Sequence, residues 1–181
     1  MEPLIIVTGN INKFEVAKRE LGIPVVQKVL DIDEIQSLDL REVLEAKARL
    51  AYKKLGEPVV VDDISLIFHD LHGLPGPLIR WFEESLGLEK LCRLADLGET
   101  RGATVEVGIG YCDDSGFEAF ISTRDGKVAQ EPRGSGGFGW DSIFIPEGET
   151  ETRAEMSEKR YRETSIREKS FRTLETYLKT K

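Results

Sequence analysis

What most limits the fold open to this chain is an alternation near its start, where short apolar runs are each followed by a segment of helical period. Residues 4–7 are a continuous apolar run of strand type, ended by Thr8-Gly9-Asn10. Phe14, Ala17 and Leu21 then share one helical face, with Gly22 as a stop. Residues 25–30 read as a second strand. Leu40, Val43, Leu44, Ala48, Ala51 and Leu55 recur at helical spacing between Asp39, which with Glu42 resembles a capping box, and Gly56. Residues 58–61 give a third, fully apolar strand. Strands alternating with helices predict an α/β fold with a central, partly parallel sheet.

Beyond Asp62-Asp63 the pattern changes. Gly73-Leu74-Pro75-Gly76-Pro77 reads as a stiff loop, followed by a helix carrying Trp81, Phe82 and Leu86. Val105, Val107, Ile109 and Tyr111 alternate with Thr104, Glu106, Gly108 and Gly110 as in a half-buried strand, and residues 117–123 pair with it across Asp113-Asp114-Ser115-Gly116. Asp125-Gly126 predicts another hairpin turn, and residues 142–145 a strand. A last helix is expected to begin at Ser165, with Glu168 completing a capping box and Phe171, Leu174 and Leu178 as its buried stripe. No linker divides the 181 residues, so residues 1–181 are expected to form a single domain.

The formal net charge of −8 speaks against general nucleic-acid binding, which rests on basic surface. No run approaches the roughly 18 apolar residues of a membrane span, and the start lacks the pattern of a signal peptide, so a cytoplasmic protein is expected. Cys92 and Cys112 match neither a disulfide framework nor a zinc pattern and read as buried small apolar residues. His69 and His72 read as loop residues, since no third ligand stands near them. An acidic protein that binds polyphosphate needs a divalent cation or a local group of bases, and three features answer to that need.

Thr8-Gly9-Asn10-Ile11-Asn12-Lys13 lies between a strand and a helix. It reads either as an anion site at a helix N-terminus, with Lys13 one turn in, or as an ordinary turn capped by Asn10. Asp62 and Asp63 follow one apolar strand and Glu34 another. They read as hard oxygen ligands for Mg²⁺ at strand ends or as solvated turn residues. Gly134-Ser135-Gly136-Gly137-Phe138-Gly139-Trp140-Asp141 contains a literal G-x-G-x-x-G, but no helix is predicted to open there, so a dinucleotide fingerprint is rejected. The loop offers Phe138 either for stacking on a base or as a core residue.

The order of these motifs carries a resemblance. Thr8-Gly9-Asn10-x-x-Lys13, Val61-Asp62-Asp63, Gly73-Leu74-Pro75-Gly76-Pro77, Phe138-Gly139-Trp140-Asp141 and Thr152-x-Ala154-Glu155-Met156 together resemble the inosine triphosphate pyrophosphatase family, also called the Ham1 or RdgB family. The resemblance implies an elongated, two-lobed α/β fold around a mixed sheet with flanking helices and the nucleotide in a cleft. It implies hydrolysis of inosine, deoxyinosine and xanthosine triphosphates to the monophosphate and pyrophosphate, Mg²⁺ dependence with Mn²⁺ as a substitute, and a homodimer. By position, Thr8, Asn10 and Lys13 would hold phosphates, and Glu34, Asp62 and Asp63 the metal, with Asp63 activating water. Phe138, Trp140, Asp141, Ser165 and Arg167 would meet the base.

Four positions depart from the family pattern: Asp62 stands where the resemblance implies glutamate and Ser142 where it often implies proline, and the other two lie near the base. Tyr161 stands where the resemblance implies lysine, and Ile166 where it implies histidine. The same reaction with altered or relaxed base selectivity, and a nucleotide-binding protein with little turnover, therefore stand as alternatives.

Overall fold

The computed structural model describes residues 3–137 and 139–181. Its sheet has the strand order β2-β1-β3-β5-β6-β7, with β4 paired to β3 off this path. The strands are β1 (Leu4–Val7), β2 (Val25–Lys28), β3 (Val59–Phe68), β4 (Pro75–Gly76), β5 (Gly102–Asp113), β6 (Gly116–Val128) and β7 (Phe144–Pro146). The helices are α1 (Ile11–Glu20), α2 (Leu40–Leu55), α3 (Ile79–Leu86), α4 (Leu88–Leu94), α5 (Glu158–Glu163) and α6 (Ile166–Thr180). β1 runs parallel to both β2 and β3, whereas β3–β4 and β6–β7 are antiparallel, so the sheet is mixed. No helix among the described residues is long and apolar enough to cross a membrane.

The chain divides into two compact units, and it passes between them along β3, β5 and β6. The first unit comprises residues 1–63, 107–122 and 166–181. Because successive strand residues point to opposite faces, β1 sends Leu4 and Ile6 one way and Ile5 and Val7 the other. Leu4, Ile6 and Val60 pack with Ala17 and Leu21 of the α1 segment and with Phe171 and Leu174 of α6. Ile5, Val7, Val59 and Val61 pack on Leu40, Leu44, Ala48 and Ala51 of α2. The helix ends obey the residues that bound them. Asn10 accepts from the N–H groups of Asn12 and Lys13, Asp39 from those of Arg41 and Glu42, and Gly56 turns left-handed at φ 68° to stop α2.

The second unit comprises residues 64–106 and 123–165. Ile79, Leu91, Cys92, Ala95, Val105, Val128, Ile143 and Phe144 are among its buried side chains. Both cysteines of the chain are buried and free.

Several local expectations are corrected. β3 does not end at Val61 but continues to Phe68, so Asp62 and Asp63 are strand residues, not turn residues. Within the expected stiff loop, Pro75 and Gly76 pair with Ile67 and Leu66, and the Leu74–Pro75 peptide is cis. Asp125-Gly126 makes no turn, because both residues lie inside β6. Gly126 pairs with Pro146 of β7, and a Cβ there would sit 2.3 Å from the Ile145 carbonyl oxygen. The glycine is demanded by close approach of two backbones, a role that sequence cannot tell from a turn. Residues 139–142 form a 3₁₀ turn, leaving only residues 144–146 as strand. The start of the last helix agrees with expectation, since α6 opens at Ile166 directly after Ser165.

Candidate functional site

β3 decides how the acids are used. Asp62 follows Val60 onto the face covered by α1 and α6, and Asp63 follows Val61 onto the face covered by α2. Two consecutive carboxylates thus enter different surroundings.

Asp62 is 3% exposed. Its Oδ1 lies 2.8 Å from Lys13 Nζ and its Oδ2 2.7 Å from Arg167 Nε, while Lys13 Nζ also donates to the Asp62 carbonyl at 3.2 Å. Burial alone would raise the carboxyl's pKa, but Arg167 and Lys13 outweigh it and hold the group below the ordinary carboxylate range. Asp62 is a fixed anion that anchors two cations, and it has little to offer as a base.

Asp63 shares Lys47 with Glu34. Lys47 Nζ, projecting from α2, donates to Glu34 Oε1 at 2.5 Å and to Asp63 Oδ2 at 3.3 Å. Burial would depress this ammonium, but Asp63 and Glu34 together hold its pKa above the ordinary lysine value. Unlike Asp62, these acids stay in reach of solvent, with side chains 20% exposed for Asp63 and 50% for Glu34. Lys47 escaped the sequence reading. Its signal was present, since a lysine on the apolar-flanked face of α2 between Leu44 and Ala48 has no packing reason to be there.

The three acids expected to hold a metal lie in two different surroundings. Glu34 and Asp63 come together around one cation, whereas Asp62 is turned away by strand alternation and saturated by Lys13 and Arg167. Among the described residues no group of three or more histidine, cysteine or carboxylate side chains could hold a metal ion. Two accessible carboxylates nonetheless fit Mg²⁺, which takes one or two such ligands and completes its shell with water and phosphate oxygens.

The Thr8–Lys13 segment is a well-formed helix entry. Thr8 Oγ1 accepts from Asn10 N–H at 3.1 Å, and Asn10 Oδ1 accepts from Asn12 at 2.9 Å and from Lys13 at 3.3 Å. The first turn of α1 carries no acid. Arg167, which the resemblance would set against a base, is engaged with Asp62 inside the first unit. Ser165 precedes α6, and its N–H donates to the Arg162 carbonyl at 3.0 Å.

In the second unit the glycine-rich segment rests on backbone. Cβ atoms at Gly134 and Gly136 would meet Ala154 carbonyl-group atoms at 2.5 and 2.9 Å, and one at Gly137 would meet Asp141 Oδ2 at 2.4 Å. Phe138 lies outside the described residues. Trp140 is buried with its ring edge-on to Phe144, the centroids 5.9 Å apart. Asp141 is buried and accepts from Arg153 Nε at 2.9 Å and from the Tyr161 hydroxyl at 2.8 Å. Nearby, burial followed by the charges of Glu84 and Asp141 pushes the Glu83 carboxyl upward.

Known proteins resemble this chain, some in sequence and some in fold. A dITP/XTP pyrophosphatase of Methanopyrus kandleri is 40% identical over 157 residues, 84% of each chain. An inosine triphosphate pyrophosphatase of Candida glabrata is 39% identical over 184 residues, 95% of each. Among solved structures, a HAM1 protein from Coxiella burnetii has the same fold at a TM-score of 0.88 over the whole of both chains, although only 23% of residues are identical. The Staphylococcus aureus Ham1 protein follows at a TM-score of 0.80 and 24% identity, over 97% of this chain and 98% of that one. With residues 4–177 matching the family as a whole, the chain belongs to the Ham1 family.

Proposed function

We propose that this protein hydrolyses inosine, deoxyinosine and xanthosine triphosphates between the α- and β-phosphates, releasing the monophosphate and pyrophosphate and so clearing non-standard purines from the nucleotide pool. The observation that carries the reading is the Asp63–Lys47–Glu34 cluster, found in a chain 40% identical to a dITP/XTP pyrophosphatase. Asp63 is the accessible carboxylate of the β3 pair and takes the proton from the attacking water. Lys47, fixed between two acids, contributes a positive charge that needs no reorganisation as charge develops on the phosphate oxygens. Mg²⁺, or Mn²⁺ in its place, would be held by Glu34 and Asp63 and would neutralise the polyphosphate. Thr8, Asn10 and Lys13 meet the phosphates at the positive end of α1. Trp140 supports the base site by packing, and Asp141 reads the base. Ser165 and Arg167 keep the base-contacting role that the resemblance gives them, with Arg167 held at its Nε by Asp62. A homodimer belongs to the same reading, and light scattering tests it.

A panel of nucleoside triphosphates, with pyrophosphate and phosphate scored separately, tests the proposal. The expected result is pyrophosphate from inosine and xanthosine triphosphates that stops in excess chelator. Single phosphate as the main product, or full activity with chelator present, would refute it.

A further inference from the structure

Asp141, Arg153 and Tyr161 come from three separate segments of the second unit and meet in a closed polar array. Arg153 Nε donates to Asp141 Oδ1 at 2.9 Å, and the Tyr161 hydroxyl donates to Asp141 Oδ2 at 2.8 Å. The Arg153 guanidinium carbon lies 4.0 Å from the centre of the Tyr161 ring, so cation and ring hold each other while each grips one carboxylate oxygen. Asp141 is 3% exposed and Arg153 9% exposed. A charge pair this deep persists only when both partners are satisfied. Tyr161 brings no charge to this place, so the positive charge that meets Asp141 arrives from position 153.

The array also supports the glycine-rich segment. Gly137 packs on the Asp141 carboxylate, and Gly134 and Gly136 lie on the backbone of Ala154, next to Arg153. The Gly136 N–H donates to the Ala154 carbonyl at 2.9 Å. A shift of Arg153 or Asp141 therefore moves the floor of that segment.

We propose that Arg153 is a positioning residue for base selectivity: it fixes Asp141 directly, and Tyr161 through the stacked ring, so that the base meets a preset anionic acceptor. The inference rests on the reading that Asp141 faces the base. A fixed carboxylate accepts from a base that carries N–H at ring position 1, as 6-oxo purines do, and opposes the lone pair that adenine presents there. Selectivity then depends on the carboxylate being held in one orientation, which is the work of Arg153.

Arg153 has a second, purely structural bond set. Its Nη1 donates to the Thr164 hydroxyl at 2.9 Å and to the Thr164 carbonyl at 3.3 Å, closing the end of α5. The test must separate the two roles. For the full-length protein, kcat/KM for inosine and adenosine triphosphates is measured in wild type, Arg153→Met, Arg153→Lys and Tyr161→Phe, with folding followed by circular dichroism. Arg153→Met is expected to lower the inosine-to-adenosine ratio by roughly 5- to 100-fold, mainly through KM for inosine triphosphate, the range expected when a buried polar contact is lost. Arg153→Lys should recover part of that loss. Tyr161→Phe, which deletes only the hydroxyl and keeps the ring, should lower the ratio less.

A folded Arg153→Met with an unchanged ratio, or with both substrates slowed alike, overturns the proposal and leaves Arg153 as a cap on α5. Should Arg153→Met fail to fold, an unchanged ratio in Tyr161→Phe overturns it equally. A wild-type enzyme with no preference between the two nucleotides would sink the assigned function, and this inference with it. A selective wild type with flat variants would sink the inference alone.

Discussion

Two neighbouring residues of one strand lead opposite lives. Asp62 is buried under α1 and α6 with a cation on each oxygen, and Asp63, one residue on, is partly exposed beside α2, where Lys47 joins it to Glu34. The same side chain chemistry yields a structural anchor on one face of β3 and a candidate base on the other. Burial makes the difference, since a carboxylate removed from water must be paired to stay charged, and with a cation on each oxygen Asp62 is a weaker base than its partly exposed neighbour. Acidic residues clustered in sequence are therefore no guide to an acidic cluster in space when they occupy a strand.

That contrast can be broken by substitution. The largest expected effect is on turnover: Asp63→Asn should lower kcat by about 10²- to 10⁴-fold with an unchanged circular dichroism spectrum, because an amide cannot accept the proton from water. A folded variant with near-normal kcat would move the role of base away from Asp63. Asp62→Asn should do the reverse and act on stability first. It leaves Lys13 and Arg167 facing a neutral group, and urea unfolding should register a loss of about 3–5 kcal/mol, the usual range for breaking a buried pair. Equal stability of the Asp62→Asn and Asp63→Asn proteins would show that the two faces do not differ as described.

Lys47→Met sharpens the comparison from the other side. It should slow pyrophosphate release about 10²-fold, on the scale of losing one preorganised charge donor, while urea unfolding shifts by about 1 kcal/mol or less because its partners reach solvent. A loss of stability as large as that of Asp62→Asn would mean that the Lys47 cluster is structural.

Acid titration gives a smaller effect. The folded pKa of Asp62 lies below its ordinary value of 3.8, so its contribution to stability is complete above that value and is lost as pH falls toward the folded pKa. Stability of the wild type should therefore decline more steeply below about pH 4 than that of Asp62→Asn. Parallel profiles would contradict the pairing with Lys13 and Arg167. The smallest effect belongs to Arg49→Ala, which deletes an exposed pair with Glu45 on α2, and should change stability by less than about 0.5 kcal/mol. A larger change would mark α2 as more sensitive to its surface than the core contacts suggest.

Much of the scaffold could be read from local chemistry. The apolar run of β1, the cap at Asp39, the stop at Gly56 and the stripe of α2 all agree with the structure, because each signal and its consequence lie within a few residues. Motif order along the chain led to the family, and with it the candidate site, before any coordinate. Misreadings arose where the deciding partner is remote. Gly126 resembles a turn glycine until β7 is seen against it, and Asp62-Asp63 resembles a turn until β3 is followed to Phe68.

The sequence by itself determined the fold class, the helix boundaries set by Asn10, Asp39 and Gly56, and membership of a family, since periodicity, capping and motif order are local or additive along the chain. Tertiary structure alone decided which face of β3 each aspartate takes, that Lys47 joins Glu34 to Asp63, that Arg167 reaches back 105 positions to Asp62, and that Arg153 rather than position 161 supplies the charge beside Asp141. Ion pairs form between whatever side chains the packed backbone brings within about 4 Å, and that proximity is fixed by the core and the strand alternation, not by distance along the chain.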